Sequence, residues 1–228
     1  MTDTQRNSVG AKPFEAVIFD MDGVIFDSEQ KVLECWAEIA ERHGVPGIEE
    51  PLHLCLGVTR DSSRKIMKDH YGADFPYDEY ALEASVLFHS KYDGGKLPMK
   101  PGAVELLKHL KQEDIRVALA SSTRRQTVEQ ELRDAGIISF FDQLICGDMV
   151  TRSKPAPDIF LAACRAVGTE PERAVAIEDS YNGIRAAAAG GLRAIMVPDL
   201  MPPNQEMNKL AETILPDLYA VEAYLLPG

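Results

Sequence analysis

No apolar run in this chain approaches the ~20 residues that a membrane-crossing helix needs; stretches such as Ala16–Phe19 stop after a few positions. Basic residues are also scarce, 24 Lys and Arg against 36 Asp and Glu, and the formal charge of -12 opposes nucleic acid and anionic membrane surfaces as partners. The four cysteines, Cys35, Cys55, Cys146 and Cys164, form no Cys-x-x-Cys pair. Neither a zinc site nor a disulfide framework is indicated, and buried free thiols are the expectation. The five histidines lack the i, i+4 spacing of a helical metal pair, and no Gly-x-x-x-x-Gly-Lys phosphate loop occurs. Residues 1–13 form a polar tail without the apolar centre of a secretory signal, so a cytoplasmic protein is expected.

What is present is the periodicity of a layered α/β protein. Short apolar runs at Glu15–Asp20, Ile115–Ala120, Gln143–Cys146, Ala174–Ile177 and Arg193–Val197 read as buried strands. Helical patterns at Ala103–Lys111, Arg124–Ala135, Pro157–Val167 and Asn182–Ala189 fall between them, three ending before Gly136, Gly168 and Gly190. The alternation predicts a doubly wound, Rossmann-like parallel sheet built from residues 14–27 and 99–228. Residues 28–98 break it with three helical patterns, Glu29–His43, Arg60–Tyr71 and Asp78–Tyr92, and no strand. An all-helical cap inserted after the first strand is expected there, with Asp93-Gly94-Gly95 as a hinge candidate. It would hang over the carboxyl end of the sheet, where such folds bind ligands. Trp36 and Phe88 read as cap core, and Lys91, Lys96 and Lys100 as a solvated face.

Four strand ends carry polar groups suited to one site. Asp20 ends the first strand and Asp22 follows two positions on; Glu178-Asp179 ends the fourth. Two acidic pairs brought to one crevice repel unless a cation joins them, and oxygen ligands of this kind select a hard divalent ion, magnesium. Ser121-Ser122 and Lys154, at two other strand ends, offer a hydroxyl and an ammonium for the oxygens of a transferring phosphoryl group. Singly, each has a bland reading: a capped turn at Asp22, helix caps at Ser121-Ser122 and Glu178-Asp179, a solvated Lys154. Their order at successive strand ends favours convergence.

With these residues the chain resembles the haloacid dehalogenase superfamily, whose four motifs match Asp20-Met21-Asp22-Gly23-Val24, Ser121, Lys154-Pro155 and Glu178-Asp179-Ser180. The helical insertion matches that family's small cap. The resemblance implies that Asp20 becomes an aspartyl phosphate, that Asp22 acts as acid and then base, and that Ser121 and Lys154 hold phosphoryl oxygens. It also implies magnesium bound by Asp20, the carbonyl of Asp22 and Asp179, with Glu178 a ligand directly or through water.

Asp22 argues for phosphate esters rather than metal-free dehalogenation. A receiver-type signalling module has its acidic pair and phospho-acceptor in the reverse order. Within the family the choice lies between a phosphatase and a sugar-phosphate mutase of the β-phosphoglucomutase kind. The segment Gly57-Val58-Thr59-Arg60 resembles the mutase's cap loop and makes Arg60 a substrate-binding candidate, with a solvated charge as its other reading. Val32 stands where the mutase has a histidine. The reading adopted is a magnesium-dependent phosphatase acting on a small phosphorylated metabolite, as a monomer, because a swinging lid suits one.

Overall fold

A computed structural model describes residues 14–56 and 60–227. The polar tail and Gly57-Val58-Thr59 lie outside the described residues. Six parallel strands, β1 (Ala16–Phe19), β2 (Arg116–Ser121), β3 (Gln143–Cys146), β4 (Ala174–Glu178), β5 (Arg193–Met196) and β6 (Thr213–Ile214), form one sheet in the order β3-β2-β1-β4-β5-β6. The chain builds outward from β1 on one side, then crosses it to lay β4 on the other. The carboxyl ends of β1 and β4 therefore flank the point where the winding reverses, which opens a crevice in such sheets.

Both faces are covered, so the strands are apolar in their interiors, and their period-2 alternation sends successive side chains to opposite faces. Val17, Phe19, Val117, Leu119, Val175 and Ile177 face one layer of helices, α5 (Ala103–Gln112), α6 (Arg125–Asp134) and α10 (Leu218–Leu225). The opposite face carries Ala16, Ala118, Ala120, Ala174, Ala176 and Ala194, against α7 (Asp158–Val167) and the alanine-rich α8 (Tyr181–Ala189). Alanines on the sheet and on α8 let those backbones approach, while Ile18, Met196 and, from α7, Ile159 and Phe160 fill the rest of that layer.

The insertion comprises α1 (Ser28–Arg42), α2 (Glu49–Leu54), α3 (Arg60–Tyr71) and α4 (Tyr77–Tyr92). These pack around their own apolar cluster, with Trp36 stacked on Tyr77 at 5.6 Å between ring centroids. Phe88 packs against both this cluster and that of α5, α6 and α10. The two connections to the sheet run side by side: Asp27 N donates to the Pro98 carbonyl at 2.9 Å and Lys100 N to that of Ile25 at 2.8 Å. Asp93-Gly94-Gly95 is folded against α6 instead of hanging free. Gly94 N donates to Asp134 Oδ2 at 3.2 Å, and a Cβ on Gly95 would stand 2.6 Å from the Asp134 carbonyl.

Four elements escape the sequence patterns, among them the four-residue helix α9 (Met207–Leu210), too short to show a period. Helix α2 has six residues with a proline among them, too few to show a period. Strand β6 has only two residues. Helix α10 is apolar on nearly every side, which hides its face although Leu218, Val221 and Leu225 are buried. Among the described residues no helix is long and apolar enough to cross a membrane. Cys35, Cys146 and Cys164 are buried free thiols, while Cys55 is half-buried.

Candidate active site

Strand β1 ends with Phe19, and Asp20 leaves it still tied to the sheet, its N–H donating to the Ile177 carbonyl at 2.9 Å. The chain then turns back: Gly23 N donates to the Phe26 carbonyl at 2.9 Å and Ile25 N to that of Met21 at 2.8 Å. Gly23 has φ 77°, a left-handed conformation, and a Cβ there would stand 2.4 Å from Asp179 Oδ2. Glycine at this turn brings the β1 loop against the carboxylate that ends β4.

Lys154 joins the two acidic pairs. Its ammonium donates to Asp20 Oδ1 at 2.6 Å, to Glu178 Oε1 at 2.7 Å and to the Ala120 carbonyl at 2.9 Å, with only 7% of its side chain exposed. The solvated reading of Lys154 is thus replaced by a buried, fully hydrogen-bonded cation. Burial alone would lower its pKa, but Asp20 and Glu178 outweigh that and raise it.

The remaining bland readings also separate. Helix α8 is capped by Ser180, whose Oγ accepts from Gly183 N at 3.1 Å, so neither acid is used as its cap. Glu178 Oε2 instead accepts from Ser180 N at 2.8 Å and Ser180 Oγ at 2.9 Å. Helix α6 begins after Arg124, and Ser121 Oγ accepts from Thr123 N at 3.0 Å. Asp22 is held by two hydroxyls, Ser28 Oγ donating to Oδ1 at 2.6 Å and Thr123 Oγ1 to Oδ2 at 3.0 Å.

Carboxylate oxygens of Asp20, Glu178 and Asp179 lie within 4.8 Å of one another, all three residues being buried. Opposite ligands of an octahedral magnesium stand about 4.2 Å apart, so the span and the all-oxygen donor set fit that ion. The charge balance asks for a cation as well. Burial first, and then Glu178, Glu29 and Asp20, hold Asp179 well above the usual carboxylate range. Burial likewise pushes Asp20 up to about 8, with Lys154 pulling the other way and Glu178 and Asp22 adding to the rise. A divalent ion among these oxygens removes that repulsion.

Over this floor lies a cavity of about 640 Å³. Its base is Asp20, Asp22, Lys154, Glu178 and Asp179, with Ser122 and Thr123 at the side. Its roof comes from the helical insertion, including Val32, Trp36, Tyr77 and Phe88. Trp36 and Phe88 therefore serve both the cap cluster and the cavity wall.

Five of the sequence-derived site residues converge here: Asp20, Asp22, Lys154, Glu178 and Asp179. Ser122 lines the cavity, whereas Ser121 is fully buried at the end of β2 and is not among the lining residues. Arg60 is not brought to the cavity. It is exposed and donates to Asp78 Oδ1 at 3.1 Å, beside Arg64, which grips the same carboxylate. Nor is Lys100 solvated; it donates to Asp199 Oδ1 at 2.6 Å and to Asp27 Oδ1 at 3.3 Å. Sequence reasoning passed over Thr123 and Glu131, which line the cavity from the start and face of α6. The one signal in the sequence was the four-residue step from Thr127 to Glu131, which places those two on one side of α6; Thr123 precedes the helix.

Gly183 supplies a check on this arrangement. A Cβ there would sit 1.7 Å from Glu178 Oε1, beneath the first turn of α8. Glycine to alanine inside a helix ordinarily gains up to about 1 kcal/mol, but displacing Glu178 breaks its bonds to Lys154 and Ser180. The clash wins, so Gly183→Ala is expected to lower stability by about 2 kcal/mol. A thermal melt reads the sign, and a rise in melting temperature would place Glu178 elsewhere.

The model of haloacid dehalogenase-like hydrolases matches residues 14–191. A phosphorylated carbohydrates phosphatase of Thermotoga maritima is 31% identical over 181 residues, covering 79% of this chain and 83% of that protein. A beta-phosphoglucomutase of Bacillus subtilis is 32% identical over 196 residues, 82% of this chain and 85% of that one. In structure, a HAD family hydrolase from Deinococcus radiodurans, solved with bound phosphate and sodium, superposes with a TM-score of 0.79 at 27% identity, covering 94% of this chain and 96% of that one. With its buried Asp20–Lys154–Glu178 network at the point where the sheet reverses, this chain belongs to the haloacid dehalogenase-like hydrolase family.

Proposed function

We propose that this protein is a phosphatase that hydrolyses a small phosphomonoester through a phosphorylated Asp20. One observation carries the reading: Asp20 is held at the floor of a cavity under the helical insertion by a buried lysine, with a second carboxylate, Asp22, positioned beside it by two hydroxyls. The helical insertion, residues 28–98, acts as the cap over the core formed by residues 14–27 and 99–228.

In this mechanism a carboxylate oxygen of Asp20 forms a bond to phosphorus while the bond to the ester oxygen breaks, and Asp22 gives that oxygen its proton. Lys154, exchanging one of its three protein partners for the substrate, and Ser122, which lines the cavity at the end of β2 with Ser121 buried behind it, receive the phosphoryl oxygens. Asp22, now a carboxylate, takes a proton from the water that attacks the phosphorus, and the bond to Asp20 breaks. The sum is ester plus water giving alcohol plus phosphate. Asp20, Glu178 and Asp179, with the Asp22 carbonyl, would hold magnesium, which when bound neutralises the gathered negative charge and lets an anionic substrate approach.

The mutase reading would send the phosphoryl group to a sugar hydroxyl instead of water. It is supported by the relatedness to beta-phosphoglucomutase, but Val32, a side chain that cannot titrate, lines the cavity where the mutase has its histidine. Arg60 is engaged by Asp78 outside the cavity. The receiver-module reading is set aside with the membership of a hydrolase family.

The test is a leaving-group series. Asp22→Asn should lower kcat/KM by about 10²-fold for alkyl phosphates, which need a proton on the departing oxygen, and far less for p-nitrophenyl phosphate. Equal losses on both would remove Asp22 from the acid role. Formation of glucose 6-phosphate from β-glucose 1-phosphate would convert the assignment to the mutase.

A further inference from the structure

The side chains of the cavity divide unevenly by charge. Among the described residues lining it, Lys154 is the one Lys or Arg, and its ammonium is already committed to Asp20, Glu178 and the Ala120 carbonyl. Away from that floor the ionisable wall is Glu29, Glu131 and His89, set among apolar and aromatic cap residues. Among the described residues of that wall no Lys or Arg stands ready for a second phosphate or a carboxylate on the substrate.

Glu131 is the unusual member. It projects from α6 one helical turn beyond Thr127, on the flank that borders the buried Val128 and Leu132. Its Oε2 atom is buried and has no hydrogen-bond partner. Burial first, and then Asp22, push its carboxyl up to about 7, with His89 opposing. A buried acceptor left without a donor is costly, so folded proteins rarely retain one without a use. It also stands where the cavity adjoins a second one of about 360 Å³ beneath the end of α4, so a bound molecule reaching beyond the phosphate passes it.

We infer that Glu131 is a specificity-determining residue that accepts hydrogen bonds from hydroxyl or amino groups of the departing half of the substrate, and that it selects neutral polyol monophosphates over substrates bearing a second anionic group. This rests on the phosphatase reading and adds the substrate class to it. A site built around a buried acceptor discriminates strongly, because a substrate lacking the donor leaves the carboxylate unpaired. A second phosphate placed beside the ionised Glu131 meets like charge, with no Lys or Arg among the described lining residues to offset it.

The experiment compares glucose 6-phosphate, ribose 5-phosphate and glycerol 3-phosphate with fructose 1,6-bisphosphate and p-nitrophenyl phosphate, in wild type, Glu131→Gln and Glu131→Ala. The quantity read is the ratio of kcat/KM for each ester to that for p-nitrophenyl phosphate on the same preparation, which cancels the folded fraction. Wild type should favour at least one polyol monophosphate over the bisphosphate by tenfold or more. Both variants should lower the preferred polyol's ratio ten- to a hundredfold, and Glu131→Gln should raise that of the bisphosphate. Unchanged ratios in the variants, or a wild type that prefers the bisphosphate or no polyol ester, would overturn the inference while p-nitrophenyl phosphate turnover leaves the phosphatase standing. Absence of any magnesium-dependent phosphate release would overturn both.

Discussion

Asp20→Asn is expected to abolish magnesium-dependent phosphate release from p-nitrophenyl phosphate, a loss of at least ~10³-fold, because removing the nucleophile removes the covalent route itself. The amide has the shape of the carboxylate but neither its charge nor its nucleophilicity. Lys154 keeps Glu178 Oε1 and the Ala120 carbonyl, at 2.7 and 2.9 Å. The fold therefore persists, and the melting temperature should move by no more than about 4 °C, the shift that ~1 kcal/mol produces in a chain of this size. The two readouts together separate a lost nucleophile from a lost fold. Chelating magnesium from wild type should reproduce the loss of turnover, and restoring the ion should reverse it. Retained turnover in Asp20→Asn would remove the aspartyl phosphate from the mechanism, and turnover in excess chelator would remove the metal.

The second large effect belongs to Lys154→Met. The side chain is buried, makes three hydrogen bonds and lies with its ammonium 5.1 Å from the centre of the Phe160 ring. Methionine fills much of the volume but leaves Asp20 and Glu178 facing each other without their shared cation. Breaking a buried pair in this way costs about 3–5 kcal/mol, a fall of roughly 10 °C in melting temperature for a chain of this size. Phosphate release should disappear as well, since the transferring group loses its principal donor. Magnesium should recover part of the stability, because it neutralises the same carboxylates, without recovering activity. A melting temperature equal to that of wild type would show that Lys154 does not hold the two strand ends together.

These effects are large because the site concentrates charge where the sheet excludes water, and the sequence carries much of that plan. The strands are legible because each is a short apolar run closed by a polar residue, and the helices between them because their apolar faces and terminal glycines recur. Asp20, Asp22, Lys154, Glu178 and Asp179 are linked by sequence order, since each lies at or beyond the carboxyl end of a strand. Rossmann-like winding brings those ends to one edge. What pattern alone could not supply was the state of each side chain. Lys154, taken singly, reads as a solvated surface charge, yet it is buried between Asp20 and Glu178, because β1 and β4 are neighbours in the sheet although about 160 residues separate them in sequence.

The cap was less legible than the core. Helix α2 and the roles of Thr123, Thr127 and Glu131 depend on which face of a helix meets a cavity formed by residues distant in the chain. Arg60 shows the converse: its place in the sequence pointed to substrate, while folding set it beside Asp78 at the exposed edge of the cap. Local order along the chain was enough to identify the layered α/β core, the strand-end chemistry and the family. Long-range packing chose which acids meet a cation, which hydroxyls hold Asp22, and that Glu131 stands unpaired in the wall, because burial and partnership arise between segments that sequence spacing does not relate.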